Sequence, residues 1–215
     1  MLMAGLLLLL TLFILYPLLR VLFVAVSDGQ GLTLRYLLNF FDRPLFREAL
    51  VNNAGYAQPL SALDMPVQDW DRLLAVDLKG VFLCSKAAAP QMIAQGGGKI
   101  INIASMSAFH VNRDAEYCHY NAAKAGVVML TKSLAVEWAR HRITVNSICP
   151  GYFRTPGNAV RSDNPAIRAI RVDQGVIKRY GQAYEDLGGA VVYLASDASN
   201  FTTGCNLVVD GGYSL

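Results

Sequence analysis

From Val51 to the C-terminus, short apolar runs alternate with longer stretches of helical periodicity, and this alternation constrains the fold more than any other feature of the chain. Strands separated by helices cannot pair as hairpins; each is reached by a crossover, which yields parallel strands with helices packed on the sheet. The pattern predicts a helix over Pro66 to Ala94, opened by Pro66 and Asp69, with Trp70, Leu73, Leu74, Leu78, Val81 and Phe82 at helical spacing. A buried strand, Lys99 to Ser105, follows the turn Gly96 to Gly98. Further expected elements are a helix over Cys118 to Arg140, a strand over Ile143 to Cys149, a long loop, a helix over Glu185 to Ser196 and a last strand over Asn206 to Val209. No internal repeat or low-complexity linker interrupts them.

Before Val51 the texture differs. Met1 to Ser27 carries one ionisable side chain, Arg20, in a run of Leu, Val, Phe, Ile, Met and Ala. A helix over Met1 to Val26 would reach about 39 Å, more than the ~30 Å hydrocarbon thickness of a bilayer, with Pro17 as a tolerated kink and Arg20 able to snorkel. Residues 1–26 are therefore read as a hydrophobic transmembrane helix; a buried core helix is the plainer alternative. A cleavable signal peptide fits less well, because no Lys or Arg precedes the run and the run is too long. Asp28 to Leu50 interleaves Arg35, Arg43 and Arg47 with Tyr36, Phe40, Phe41 and Phe46, as an interfacial linker would. The chain thus divides into residues 1–50, span and linker, and residues 51–215, an α/β part. The stretch Leu12 to Leu50 resembles the first span and following loop of a bacterial ABC-transporter permease subunit. Charge after the span would put Arg35 to Arg47 in the cytoplasm, whereas that loop normally lies outside in such permeases, so the topology stays open.

Composition removes several function classes. The 215 residues suffice for one ordinary α/β domain, and 53% hydrophobic against 16% charged excludes a disordered chain. A net charge of +3, from 19 basic and 16 acidic residues with no basic run, gives no footprint for nucleic acid. Cys84, Cys118, Cys149 and Cys205 form no CxxC pair and stand among apolar neighbours, so they read as reduced, buried thiols. His110, His119 and His141 share no ligand spacing, and no metal site is expected.

Tyr120 and Lys124 lie four apart on the expected long helix and project from one face. Bringing a phenol of pKa ~10 within two or three units of neutrality requires about 3 to 4 kcal/mol of favourable interaction with the phenolate, which a neighbouring cation in a partly dry cleft can supply. Alone the pair says little: ten Tyr and six Lys in a chain of this length give about 0.3 chance matches. Its context says more. Ser105 sits where its strand runs out at the carboxyl end, the edge at which open parallel sheets place ligands. Asn52 to Gly55 and Pro150 to Gly151 end two other apolar segments with small or polar turn residues, exposing backbone to a ligand across that edge. Each residue also has a plain structural reading: a strand-end serine, a half-buried tyrosine, a solvated helix lysine. Tyr117 reads as a pocket wall, Trp70 and Trp138 as packing.

Together, NNAG at Asn52 to Gly55, Ser105 in NIAS, YNAAK at Tyr120 to Lys124, Pro150 and Gly151 with Thr155 following, and VDGG at Val209 to Gly212 resemble the short-chain dehydrogenase/reductase (SDR) family. The resemblance covers residues 51–215. It implies a Rossmann-like, doubly wound parallel sheet and hydride transfer between NAD or NADP and a small carbonyl/alcohol substrate. Tyr120 would be the general acid/base, Lys124 would lower its pKa and hold the nicotinamide ribose, and Ser105 would orient the substrate oxygen. Asn53, Ala54 and Gly55 would line the cofactor, and Ile148, Pro150, Gly151 and Thr155 would contact its nicotinamide end. Family members commonly form homo-oligomers through the helices expected at 66–94 and 118–140.

Two departures stand out. Asp77 occupies the position of a helix Asn that holds a water in the family's proton relay; an ionised carboxylate accepts hydrogen bonds but cannot donate, so Asp77 is a catalytic position with altered chemistry. The family also opens with a strand, a TGxxxGxG turn and a helix, and this sequence contains no such segment: Gly29 and Gly31 lack the third glycine, and Gly96 to Gly98 lead into a strand. The expectation is a truncated SDR domain lacking its first βαβ unit, fused behind a membrane helix, with the catalytic part cytoplasmic. Two functions remain: an NAD(P)-dependent oxidoreductase, or a catalytically inactive, membrane-tethered fusion remnant. The charged, polar stretch Tyr152 to Tyr184 suits a hydroxyl-rich sugar or polyol better than a steroid or acyl chain.

Overall fold

A computed structural model describes residues 49–215. The expected membrane helix lies outside these residues, as do the linker and the permease likeness up to residue 48, whereas Ala49 and Leu50, expected to end the linker, open the first described strand instead. Among the described residues, no helix is long and apolar enough to cross a membrane.

Strand β1 (Ala49–Asn52) leads through α1 (Val67–Leu74), a π-type turn (Ala75–Lys79) and α2 (Gly80–Ala94) to β2 (Gly98–Ile103). Helix α3 (Cys118–Trp138) then leads to β3 (Ile143–Pro150), and after α4 (Ala159–Ser162) and α5 (Pro165–Arg171) helix α6 (Gly188–Ala195) leads to β4 (Asn206–Val209). Each crossover returns its strand parallel to the last, in spatial order β1-β2-β3-β4, with Asn52 beside Asn102, Ile103 beside Ile148 and Pro150 beside Val209. The expected elements are all present with small boundary changes. Pro66 stands just outside α1 in extended conformation, its missing N–H harmless there, and Ser105 lies beyond β2 as the cap of a short 3-10 turn. The expected loop 152–184 contains the two short helices α4 and α5.

Why the strands read as unbroken apolar runs is visible at Ile100 and Ile101, which point to opposite faces. Ile100 packs with Ala89 and Met92 of α2 and Leu134 and Ala135 of α3, while Ile101 packs with Ile148 and Leu194 of α6. Helices therefore cover both faces of the sheet. A buried polar chain ties these layers together. The Asn52 amide donates to Ser85 Oγ (2.9 Å) and Asn102 Oδ1 (2.8 Å), the Asn102 amide donates to Thr131 Oγ1 (2.9 Å), and Thr131 donates to the Val127 carbonyl. Side chains from β1, β2, α2 and α3 are thus fixed in one register.

The cysteine expectation is corrected in part. All four thiols are free, but only Cys149 is buried; Cys84, Cys118 and Cys205 are exposed. Apolar neighbours misled for Cys84, because Phe82 and Leu83 are themselves exposed on the outer side of α2.

Candidate active site

The carboxyl ends of β1, β2 and β3 open onto one cleft of about 230 Å³. Asn53 and Gly55 leave β1, Ser105 leaves β2, and Pro150 with Gly151 leaves β3; Tyr120 and Lys124 reach in from the first turns of α3, and Asp77 from the π-type turn. Nine of these expectations meet in this cleft or at its rim once Ala54, exposed between Asn53 and Gly55, is included. Two do not. Ile148 is fully buried against Ile101 and Leu194, because its strand position points it to the α6 face; Thr155 lies farther along, opening the 3-10 turn Pro156–Asn158.

Lys124 is held from two sides. Its buried ammonium donates to the Ile103 carbonyl at 3.1 Å and lies 3.3 Å from Asp77 Oδ2 and 5.5 Å from the centre of the Tyr120 ring. Asp77 is wholly buried, and its other oxygen accepts the Tyr56 N–H at 3.0 Å. Gly55 is needed for this approach, since a Cβ there would stand 2.8 Å from Asp77 Oδ2 and 3.3 Å from Lys124 Nζ. On the far wall, Gly151 donates its N–H to the Val209 carbonyl at 3.0 Å, and a Cβ on it would come within 2.5 Å of Asp210. Asp210 in turn accepts the Gly212 and Ser214 N–H groups, so the VDGG turn is folded directly against the cleft.

The charge balance at Tyr120 differs from the expectation that Lys124 draws its pKa down. Burial pushes the phenol above its ordinary value, the facing Ser105 hydroxyl pulls it back, and Asp77 and Tyr117 push it further up. Neighbouring His119 is buried with Nδ1 lacking a partner; burial pushes it below its ordinary value against the pull of Asp69 and Asp77, so it is neutral near pH 7.

A second polar cluster was not legible from the sequence. Ser107 donates its N–H to Ser105 Oγ and its hydroxyl to Asn112 Oδ1, the Asn112 amide donates to Tyr152 Oη, and Tyr152 donates to Asp114 Oδ1 at 2.9 Å. The Asp114 carboxylate has no exposed surface and takes Arg161 at 3.0 Å and Arg171 at 2.6 Å. Burial alone would raise its pKa, but Arg171, Tyr152 and Arg161 hold it below the usual carboxylate value. The remaining cations of the segment 152–184 are also engaged: Arg154 with Asp163, Arg179 with Asp186, Lys178 on the Asp173 carbonyl and Arg168 over the Tyr180 ring.

Among the described residues no group of His, Cys, Asp or Glu could hold a metal ion. A family model described as enoyl-(acyl carrier protein) reductase matches residues 48–214. The 2-dehydro-3-deoxy-D-gluconate 5-dehydrogenase of Escherichia coli is 43% identical over 168 residues, 77% of this chain and 65% of that protein. The D-arabinitol 2-dehydrogenase (ribulose-forming) of Candida albicans is 42% identical over 191 residues, 87% of this chain and 68% of that protein. Among solved structures, a gluconate 5-dehydrogenase from Burkholderia cenocepacia, in complex with NADP and tartrate, superposes with a TM-score of 0.74 at 38% identity, over 84% of this chain and 69% of that one. A short-chain type dehydrogenase/reductase from Mycobacterium marinum does so with a TM-score of 0.73 at 42% identity, over 77% and 64%. The chain spans just under two thirds of the length of the Escherichia coli protein. Motifs, parallel sheet and these likenesses agree: the chain belongs to the short-chain dehydrogenase/reductase family.

Proposed function

We propose that this chain carries the catalytic part of an NAD(P)-dependent oxidoreductase that interconverts an alcohol and a carbonyl on a sugar or polyol. The observation that carries the reading is the convergence of Ser105, Tyr120 and Lys124 in one cleft at the carboxyl edge of the sheet. The residues present fit a nicotinamide group. Gly55, Pro150 and Gly151 line the cleft at the strand ends, and the Lys124 ammonium, bonded to the last carbonyl of β2, sits where it would meet a ribose. Asn53, Ala54, Gly55, Lys124, Pro150 and Gly151 would hold it. When bound, the nicotinamide supplies or accepts the hydride.

The chain's own side chains handle the oxygen and its proton. Ser105 donates to the substrate oxygen and fixes it against Tyr120. In reduction the phenol gives its proton to that oxygen as negative charge develops there; in oxidation the phenolate takes the alcohol proton. A raised phenol pKa favours the first direction, because the acid form is the abundant one near neutral pH. Engagement of all six cations of the 152–184 wall with internal partners supports a neutral polyhydroxy substrate over an anionic one. Exposed apolar side chains on α2 and α3, including Leu83 and Met129, support the homo-oligomer expected there. On this reading the residues before position 48 would be span and linker, with the catalytic part on the cytoplasmic side.

The test is NADH- and NADPH-dependent reduction of ketoses, followed by nucleotide absorbance. Tyr120→Phe is expected to lower kcat by about 10²- to 10⁴-fold while leaving nucleotide affinity nearly unchanged. One observation favours the inactive remnant: among the described residues β1 pairs with β2 alone, and Val51 on it is 41% exposed. Absence of nucleotide binding in calorimetry would decide for that reading.

A further inference from the structure

Resting on the oxidoreductase reading, we propose that Asp77 is a positioning residue that occupies the Lys124 ammonium and thereby sets the pH range in which Tyr120 exchanges its proton. Neither side chain is more than 5% exposed, and they meet at 3.3 Å. Asp77 Oδ2 has no hydrogen bond, so the ammonium is what faces it, while Oδ1 is fixed by the Tyr56 N–H. Gly55 backs the carboxylate at a distance that a single added carbon would close, and the Tyr56 N–H holds its other oxygen. A cation within reach of a phenol ordinarily favours the phenolate. Here an equal and opposite charge lies on the same ammonium, shielded from solvent, and the two largely cancel at the phenol oxygen.

The other groups around the pair do not restore the imbalance. From α3, Tyr117 packs its ring 6.0 Å from that of Tyr120, and His119 is neutral near pH 7. From the end of β2, Ser105 offers a hydroxyl and no charge. From α1, Asp69 adds a second negative charge felt at His119. Burial and Asp77 accordingly both oppose deprotonation of Tyr120, and Ser105 alone favours it. An amide at position 77 would keep the shape of the side chain and the acceptor for Tyr56, remove the negative charge, and leave the Lys124 charge to act on the phenol. The reaction most affected is alcohol oxidation, which needs the phenolate; carbonyl reduction, which needs the phenol, is less sensitive near neutral pH.

The decisive measurement is a pH titration of the protein labelled with carbon-13 at the tyrosine ring carbon bearing oxygen, followed by NMR, with Tyr120→Phe identifying the resonance. In Asp77→Asn the Tyr120 resonance is expected to titrate at lower pH than in the unaltered chain, and alcohol oxidation at neutral pH to rise about tenfold relative to carbonyl reduction. Asp77→Ser removes the same charge with a smaller side chain and guards against misfolding of the first variant, which the amide spectrum would reveal. A Tyr120 titration that stays in place or moves up in the folded neutral variants overturns the proposal. Should the unaltered chain show no turnover, the oxidoreductase reading fails by itself, and the titration still decides the electrostatic coupling.

Discussion

At the scale of single residues, the cleft is built from contacts that leave no room for a methyl group. Gly55→Ala would drive a carbon to 2.8 Å from Asp77 Oδ2 and 3.3 Å from Lys124 Nζ, so the buried ion pair would have to shift. The variant is expected to cost about 1 to 3 kcal/mol, seen as a lower midpoint in urea, and to weaken nucleotide binding in calorimetry. The NNAG motif marked this glycine in the sequence, but not the reason for it, because Asp77 lies 22 positions away and reaches Gly55 only through the crossover. Tyr120 and Lys124 were readable from helical spacing only together with Ser105 and the strand-end motifs around them. Their shared partner was not, since nothing local to Asp77 says that its charge is buried beside Lys124.

At the scale of elements, the parallel strands were legible because the central ones, β2 and β3, are buried on both faces and carry continuous apolar runs between helical segments. Boundaries shifted where a turn changed type, as at Ala75–Lys79 and at Ser105. The Asp114 cluster was hidden for a different reason: its partners Arg161 and Arg171 come from two helices that sequence reading merged into one loop, 47 and 57 positions downstream. That cluster joins the segment after β2 to α4 and α5, and its stability is pH-dependent. The folded pKa of Asp114 lies below the ordinary value of 3.8, so its contribution is complete above that value and is lost as pH falls through the folded pKa. Hydrogen exchange is expected to show residues 106–117 and 159–171 loosening together in acid, ahead of the sheet. Asp114→Asn should reproduce the loosening at neutral pH at a cost of about 3 kcal/mol, because it strands the nearly buried Arg171.

At the scale of the whole molecule, every described strand points its carboxyl end toward the same edge, which is why residues from Asn53 to Gly151 converge although nearly a hundred positions separate them. The buried chain from Asn52 through Asn102 to Thr131 ties β1 to β2 and both to α3, which holds those two strand ends in register. One wall of that edge is the end of β4 and the turn that follows it. Val209 pairs with Pro150 and receives the Gly151 N–H, and Asp210 presses on the bare face of Gly151. A chain ending at Gly204 is therefore expected to lose its cooperative thermal transition and its nucleotide binding together, as read by calorimetry. On a ribosome, which releases the polypeptide from its amino end, Tyr120 and Lys124 would emerge well before the wall they work against. A nascent chain would lack that wall until β4 and the turn after it were free to dock.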